Sequence, residues 1–285
     1  MTRIVYVNGR YRPYAEAAVH VEDRGFQFAD AVYEVIEVAG GRLIDEARHL
    51  ARLSRSLDAL DIQPPIAETA LRHVLRQVVV RNRVRDGLVY LQVTRGAAPR
   101  DFPFPDRDTP RTLVCLARPL SRAARAASAA KGIAVKTMPD LRWGRCDIKT
   151  VMLLPAVLAK AAAGREGAKE AWLVDEQGFV TEGAASNAWI VDTEGRLVTR
   201  RADSAILDGV TRNTVLDAIE IEGLEVVERA FRPEEAHVAR EAFITSATNT
   251  VMPVVSIDGH TIGDGKPGPI TRRLREIFPS VAKAS

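Results

Sequence analysis

The chain has 285 residues, 46% hydrophobic and 27% charged, a composition that supports a sizeable core and leaves room for two domains. Its formal charge is +3, but 40 basic residues are interleaved with 37 acids along the whole length, which excludes the localised basic face of a nucleic-acid binder. Two cysteines and five scattered histidines exclude a disulfide framework or zinc spacing, and no apolar run approaches a membrane span, so a reduced, cytoplasmic setting is expected.

Residues 4–13 alternate apolar and polar side chains around Asn8-Gly9, which predicts a hairpin. A second hairpin is expected from Val32 to Ile44, turning at Gly40-Gly41. Over 45–60, Ala47, Leu50, Leu53, Leu57 and Leu60 fall on one helical stripe, with Asp45 as N-cap. A further amphipathic helix is predicted over 67–83, then strands over 87–96 and 111–119, separated by a loop (97–110) with four prolines. The alanine-rich segment 120–131 has weak periodicity and reads as an interdomain linker, between a small domain at 1–119 and a larger one at 132–285. In the larger part, strands are expected near 133–138, 170–174, 188–192, 224–231 and 241–245. Helices are expected near 150–163, 210–220 and 270–277, and hairpin turns at 175–178 and 192–195. Strands and helices do not alternate regularly, so the expected fold class is α+β rather than a doubly wound parallel sheet.

Lysines stand only at 131, 136, 149, 160, 169, 266 and 283, so amine chemistry has seven candidates. Lys149 lies in RWGRCDIKT (142–150), just before an apolar helix expected to begin around Val151. Partial desolvation and the cations Arg142 and Arg145 would push an ammonium there toward neutrality, as a Schiff-base lysine requires. Local context alone reads more simply as a surface lysine at a helix start. TEGAASN (181–187) sets Glu182 before small residues that allow close backbone approach to a ligand, or simply make a turn. In ILDGVTRNTVL (206–216), Val210 and Thr211 offer backbone N–H groups and a hydroxyl at the positive end of a helix, which suits a phosphate. Asp208 as an ordinary N-cap explains that segment equally well. TSATNT (245–250) supplies small polar residues and amides after a strand, and Arg52 lies beside the apolar stripe of the 45–60 helix.

The order of these segments is more specific than any one of them. EDRGFQFADAVYEV (22–35), HLARL (49–53), VTRGAAPR (93–100), RWGRCDIK (142–149), TEGAASN (181–187), LDGVTR (207–212) and TSATN (245–249) span the chain nearly end to end. In that order the chain resembles the fold-type IV pyridoxal-phosphate (PLP) aminotransferases, and within them the D-amino-acid (D-alanine-type) enzymes. The resemblance implies a small N-terminal α/β domain, a larger C-terminal domain, and pyridoxal 5'-phosphate in the cleft between them. It also implies a homodimer whose neighbouring subunit completes the substrate pocket. Lys149 would form the Schiff base and carry the proton, and Glu182 would pair with the pyridine nitrogen. Arg52, Val210, Thr211, Ser246 and Ala247 would hold the rest of the cofactor. Tyr33, Arg100, Phe102 and Thr248 would line the substrate pocket, Arg100 coming from the other subunit.

The implied reaction moves the amino group of a D-amino acid, of the D-alanine or D-glutamate type, to a 2-oxo acid by a 1,3-proton shift. Two departures stand out. The family's Arg-x-His is here Arg100-Asp101-Phe102, which should weaken carboxylate binding or widen the pocket toward apolar groups. Ala247 stands where a threonine is common, a lost hydroxyl contact worth ~1 kcal/mol. The same scaffold leaves open a branched-chain (L-) or amine transaminase, an aminodeoxychorismate-lyase-like elimination of pyruvate, and a degenerate PLP-binding protein.

Overall fold

Asn8 and Gly9 take φ of 44° and 86°, and these left-handed values reverse the chain between β1 (Ile4–Val7) and β2 (Arg10–Pro13) as the sequence predicts. The computed structural model describes residues 3–285, which divide into two units. Among the described residues the first comprises 3–121, Ile148–Met152 and Lys283–Ser285. Beyond the first hairpin it contains α1 (Arg24–Phe28), β3 (Ala31–Ala39), β4 (Arg42–Leu43), α2 (Glu46–Ala59), α3 (Glu68–Arg81), β5 (Gly87–Thr94) and β6 (Thr112–Pro119). Its six strands form an antiparallel sheet in the order β2-β1-β6-β5-β3-β4. Helix α2 packs on β3, and α3 packs on β1, β5 and β6.

Strand β3 buries Val32, Glu34, Ile36 and Val38 and turns Tyr33, Val35 and Glu37 to the half-exposed face, the period of two that a pleated strand imposes. On α2 the expected Leu50, Leu53 and Leu57 are buried, but Ala47 is exposed and Leu60 only half-buried. The buried stripe instead takes in His49, Arg52 and Ser56. Asp45 holds the N-cap position without capping; its Oδ1 accepts from the Lys283 amide at 2.9 Å. Leu43 and Ser285 exchange backbone hydrogen bonds beside it, so the C-terminal residues return to the first unit.

The segment 148–152, expected to open a helix near Val151, is not helical and meets β3 through an isolated bridge between Thr150 and Val32. β4 pairs with β3 only at Val38 and Ala39, which leaves the edge of β3 open at residues 31–33. The Tyr33 amide donates to the Lys149 carbonyl (3.0 Å) and the Val151 amide to the Ala31 carbonyl (3.2 Å), filling that edge.

The second unit comprises Arg122–Asp147 and Leu153–Ala282. Residues 122–131 are not a linker but helix α4 (Arg122–Lys131), counted within this unit. Its weak periodicity reflects alanine, the strongest helix former, rather than missing structure. A single cut near residue 120 is therefore replaced by a chain that crosses between units several times. There follow β7 (Ile133–Pro139), α5 (Leu154–Arg165), β8 (Glu170–Val174), β9 (Val180–Gly183), β10 (Asn187–Val191), β11 (Leu197–Thr199) and α6 (Val210–Ile221). Then come β12 (Val226–Glu228), α7 (Pro233–His237), β13 (Glu241–Ser246), β14 (Thr250–Ile257), β15 (His260–Thr261) and α8 (Pro269–Val281). The sheet is mixed, in the order β12-β11-β10-β13-β14-β7-β8-β9 with β15 on β14. Its pairs are parallel only at β11–β12, β14–β7 and β7–β8. Trp172, Ile190, Phe231, Ile244 and Val254 belong to its core. Strand β14 escapes sequence reading because Pro253 sits inside it and a proline argues against a strand interior. The class is α+β, and among the described residues no helix is long and apolar enough to cross a membrane.

Candidate active site

In the first unit the β3 edge places Lys149 beside Tyr33, its Nζ 4.3 Å from the Tyr33 ring centroid. The Lys149 amide donates to Ser56 Oγ on α2 at 3.3 Å, which fixes the segment against the helix. Beneath lies a buried polar cluster. Glu34 is fully buried and accepts from Arg52 Nε and Nη2, each at 2.8 Å, while His49 Nδ1 stands 2.7 Å from Oε2 of the same carboxylate. Burial pushes the Glu34 carboxyl up, but the Arg52 guanidinium and the hydrogen bonds of Arg52 and His49 outweigh it and hold the group ionised, well below the usual carboxylate range. His49 goes the other way: burial lowers it, with Arg52 and Lys149 adding to the effect against the pull of Glu34, so the imidazole is neutral. A neutral ring that bonds a carboxylate through Nδ1 carries its proton there.

In the second unit Glu182 stands on β9 with three donors: Arg142 Nη1 at 2.5 Å and the Leu207 amide at 3.1 Å on Oε1, and Asn187 Nδ2 at 2.9 Å on Oε2. Arg142 also grips Asp140, Nε to Oδ1 at 2.9 Å and Nη2 to Oδ2 at 2.8 Å. Asp140 is held below its ordinary value: burial opposes this, and Arg142 and the Thr181 hydroxyl overcome it. This corrects the sequence reading of Arg142 and Arg145 as cations acting on Lys149. Arg142 is committed to two carboxylates, and Arg145 is an exposed partner of Asp147.

Helix α6 begins at the same network. Asn187 Nδ2 also donates to the Leu207 carbonyl, so Glu182 and the entry to α6 are tied through one residue. Gly209 is the N-cap, no side chain caps the helix, and Asp208 instead accepts from Asn213 Nδ2 at 2.9 Å. A Cβ on Gly209 would fall 2.0 Å from Asn187 Oδ1, so only glycine lets the helix start lie against Asn187. Val210 and Thr211 open the helix and are largely buried, their amides among those an α-helix leaves without intrahelical partners. The β10–β13 ladder sets Asn187 opposite Thr245, and the next residues, Ser246, Ala247 and Thr248, form the half-buried turn into β14. Ser246 Oγ and Thr248 Oγ1 are 3.3 Å apart there.

Thus Lys149 and Tyr33 come together in the first unit, which also holds the Glu34–Arg52 pair. Glu182, Val210 and Thr211, with the 246–248 turn one register step away, gather in the second. Arg100 and Phe102 stand apart from Tyr33 in the sequence and rest on Phe28: the Arg100 guanidinium is 5.1 Å from its centroid, and Phe102 meets it edge-on at 5.7 Å. Sequence reasoning missed Glu34, His49, Asp140 and Asn187. Glu34 did leave a signal, a charge in the apolar phase of Val32, Ile36 and Val38. Asn187 left none.

A family model described as "Amino-transferase class IV" matches residues 31–257. The D-alanine aminotransferase of Bacillus licheniformis is 41% identical over 271 residues, covering 95% of this chain and 94% of that protein. Its counterparts from Listeria monocytogenes serotype 1/2a (strain 10403S), at 39%, and Staphylococcus haemolyticus, at 36%, cover 96% of this chain and 94% and 96% of their own lengths. Among solved structures, a T.th. branched-chain amino acid aminotransferase with pyridoxamine 5'-phosphate superposes with a TM-score of 0.89 at 26% identity, covering 98% of this chain and 94% of that one. The Escherichia coli branched-chain enzyme gives 0.90 at 23% over the same shares, a likeness of fold. The chain therefore belongs to the class IV aminotransferases and is a pyridoxal-phosphate-dependent enzyme.

Proposed function

We propose that this enzyme transfers the amino group of a D-amino acid of the D-alanine type to a 2-oxo acid, with Lys149 as the residue that binds the cofactor and carries the proton. The observation that carries the reading is the end-to-end identity of 34–41% to D-alanine aminotransferases, against 21–27% to branched-chain enzymes of similar fold.

The donor set fits a phosphorylated pyridine aldehyde. The only lysine among the matching motifs is held by backbone against Tyr33, a carboxylate clamped by three donors stands in the second unit, and an uncapped helix N-terminus lies beside it. When bound, pyridoxal phosphate supplies an electron sink for the negative charge left at the substrate Cα. Lys149 Nζ takes the proton from Cα and returns it later, acting as base and then acid. Glu182, oriented by Arg142, Asn187 and the Leu207 amide, holds a proton on the pyridine nitrogen. In the first unit Arg52, oriented by Glu34, offers a cation that suits a phosphate; in the second the Val210 and Thr211 amides, the Thr211 hydroxyl and the Ser246–Ala247 turn offer donors that suit one. For the substrate we assign Tyr33, Arg100 and Phe102 in the first unit, Arg100 from the neighbouring subunit, and Thr248 in the second.

We further assign a homodimer. In support, Leu153, Leu154, Val157 and Leu158 stand exposed at the start of α5. Two buried free cysteines support a reducing, cytoplasmic setting.

The test is a set of half-reactions. Protein loaded with pyridoxal phosphate is treated with borohydride and mapped by peptide mass, and the adduct is expected on Lys149. Pyridoxamine phosphate should form faster from D-alanine or D-glutamate than from the L-forms or from L-leucine. Faster reaction with L-leucine makes the enzyme a branched-chain transaminase, and pyruvate release that continues past one equivalent per cofactor without a 2-oxo acceptor, with no pyridoxamine phosphate formed, makes it a lyase. Either result overturns the proposal.

A further inference from the structure

The 97–110 loop carries Arg100 and Phe102, contains four prolines and has no strand within it. Its position is set by what it rests on. Beneath it is a buried cation with no part in the chemistry above. Arg24, on the five-residue helix α1, is only 4% exposed. Its Nε donates to Asp30 Oδ2 at 2.8 Å. Its Nη1 donates to the carbonyls of Asp101 (2.7 Å) and Pro103 (3.4 Å), the two residues that flank Phe102. The same guanidinium lies 4.6 Å from the Phe28 centroid, so Phe28 is shared by Arg24, Arg100 and Phe102.

The seat itself is rigidly built. Asp23 caps α1 by accepting from the Gly25 amide at 2.9 Å and takes the Thr94 hydroxyl at 2.9 Å. A Cβ on Gly25 would stand 2.4 Å from Thr94 Cγ2, so α1 can lie this close to β5 only with glycine there. Asp30 Oδ2 accepts from Arg95 Nε (2.7 Å) as well as from Arg24, and the Arg24 amide donates to the Gly96 carbonyl (2.9 Å). The planar guanidinium reaches the Asp30 carboxylate through Nε and the two carbonyls through Nη1, a fixed spacing that the single nitrogen of a lysine does not offer. A mobile turn would gain nothing from such a support.

We propose that Arg24, seated on Phe28 and Asp30, is a positioning residue that fixes the 100–103 turn and so sets the geometry in which Arg100 meets the substrate carboxylate. The inference rests on the reading that Arg100 binds that carboxylate. With phenylalanine in place of a histidine donor at 102, more of the recognition falls on the placement of Arg100, and displacements on the order of 1 Å cost up to about a hundredfold.

A double-mutant cycle on the cofactor-loaded enzyme tests it, using whichever amino donor reacts fastest in the half-reaction panel. Arg24→Met should raise KM about tenfold with kcat within a factor of about three, and the visible band of the bound cofactor should not move. In an Arg100→Ala background the same change should raise KM less than about twofold, because Arg24 acts through Arg100. A tenfold rise in both backgrounds overturns the positioning role while leaving the carboxylate reading intact. A wild-type KM for Arg100→Ala alone overturns the carboxylate reading and the positioning role with it. Should Arg24→Met lack a cooperative melt, Phe28→Leu, which keeps apolar bulk but removes the shared ring, runs the same cycle and decides on the same criteria.

Discussion

Each unit buries a carboxylate against an arginine, and the two clusters differ in how many carboxylates the arginine meets. In the first, the Glu34 carboxylate accepts from the Arg52 guanidinium and bonds the His49 ring. In the second, Glu182 and Asp140 share the single guanidinium of Arg142, so among these three groups one negative charge remains. One device, an ion pair sheltered from water, thus serves one carboxylate in one unit and two in the other. The difference lies in how many carboxylates meet each arginine. An anionic phosphate suits the first, and a protonated ring nitrogen suits the second.

Removing Lys149 should have the largest effect. Lys149→Ala should lower transamination by about 10³-fold or more and abolish the borohydride adduct; a wild-type rate would break the assignment of this lysine. Glu182→Gln removes one of the two carboxylates that share Arg142, and kcat should fall about 10²- to 10³-fold. The adduct on Lys149 should still form, since that lysine is held by the first unit, and adduct mass separates the two variants.

Glu34→Gln tests whether the first pair is balanced. It takes the carboxylate from the buried Arg52 guanidinium and should destabilise the protein by about 3–5 kcal/mol, a melting temperature lower by roughly 10 °C in a thermal scan. The same variant sharpens the pH dependence. Glu34 and Asp140 are held below their ordinary values, so the unfolded chain binds more protons in acid. Their contribution is full above about pH 4.5 and is lost as pH falls through the folded values, and in Glu34→Gln the acid decline should be shallower than in wild type. Tyr90 carries the opposite sign: burial and Tyr33 push it up to about 12, so its contribution is full below pH 10 and is lost as pH rises toward about 12. The smallest effect belongs to Arg145→Ala. Its exposed pair with Asp147 is screened by water, and neither melting temperature nor the pH–rate profile should change measurably.

Much of this molecule is written locally. Asn8-Gly9 and Gly40-Gly41 determine their turns because few residues accept positive φ. The leucine stripe of α2 announces a helix, and the ordered motifs single out Lys149 and Glu182 from many equally plausible residues. What periodicity records is the local backbone and its apolar side, and it errs where composition is bland, as in α4, or where an edge strand from elsewhere in the chain claims a segment, as at 148–152. The partners of the site were decided by tertiary structure alone. Glu34 meets Arg52 across 18 residues, Arg142 meets Glu182 across 40, and Arg24 reaches the Asp101 carbonyl across 77. Such pairs carry no local period. They exist because burying a charge is unfavourable until the fold brings its counter-charge or carbonyl within hydrogen-bonding distance.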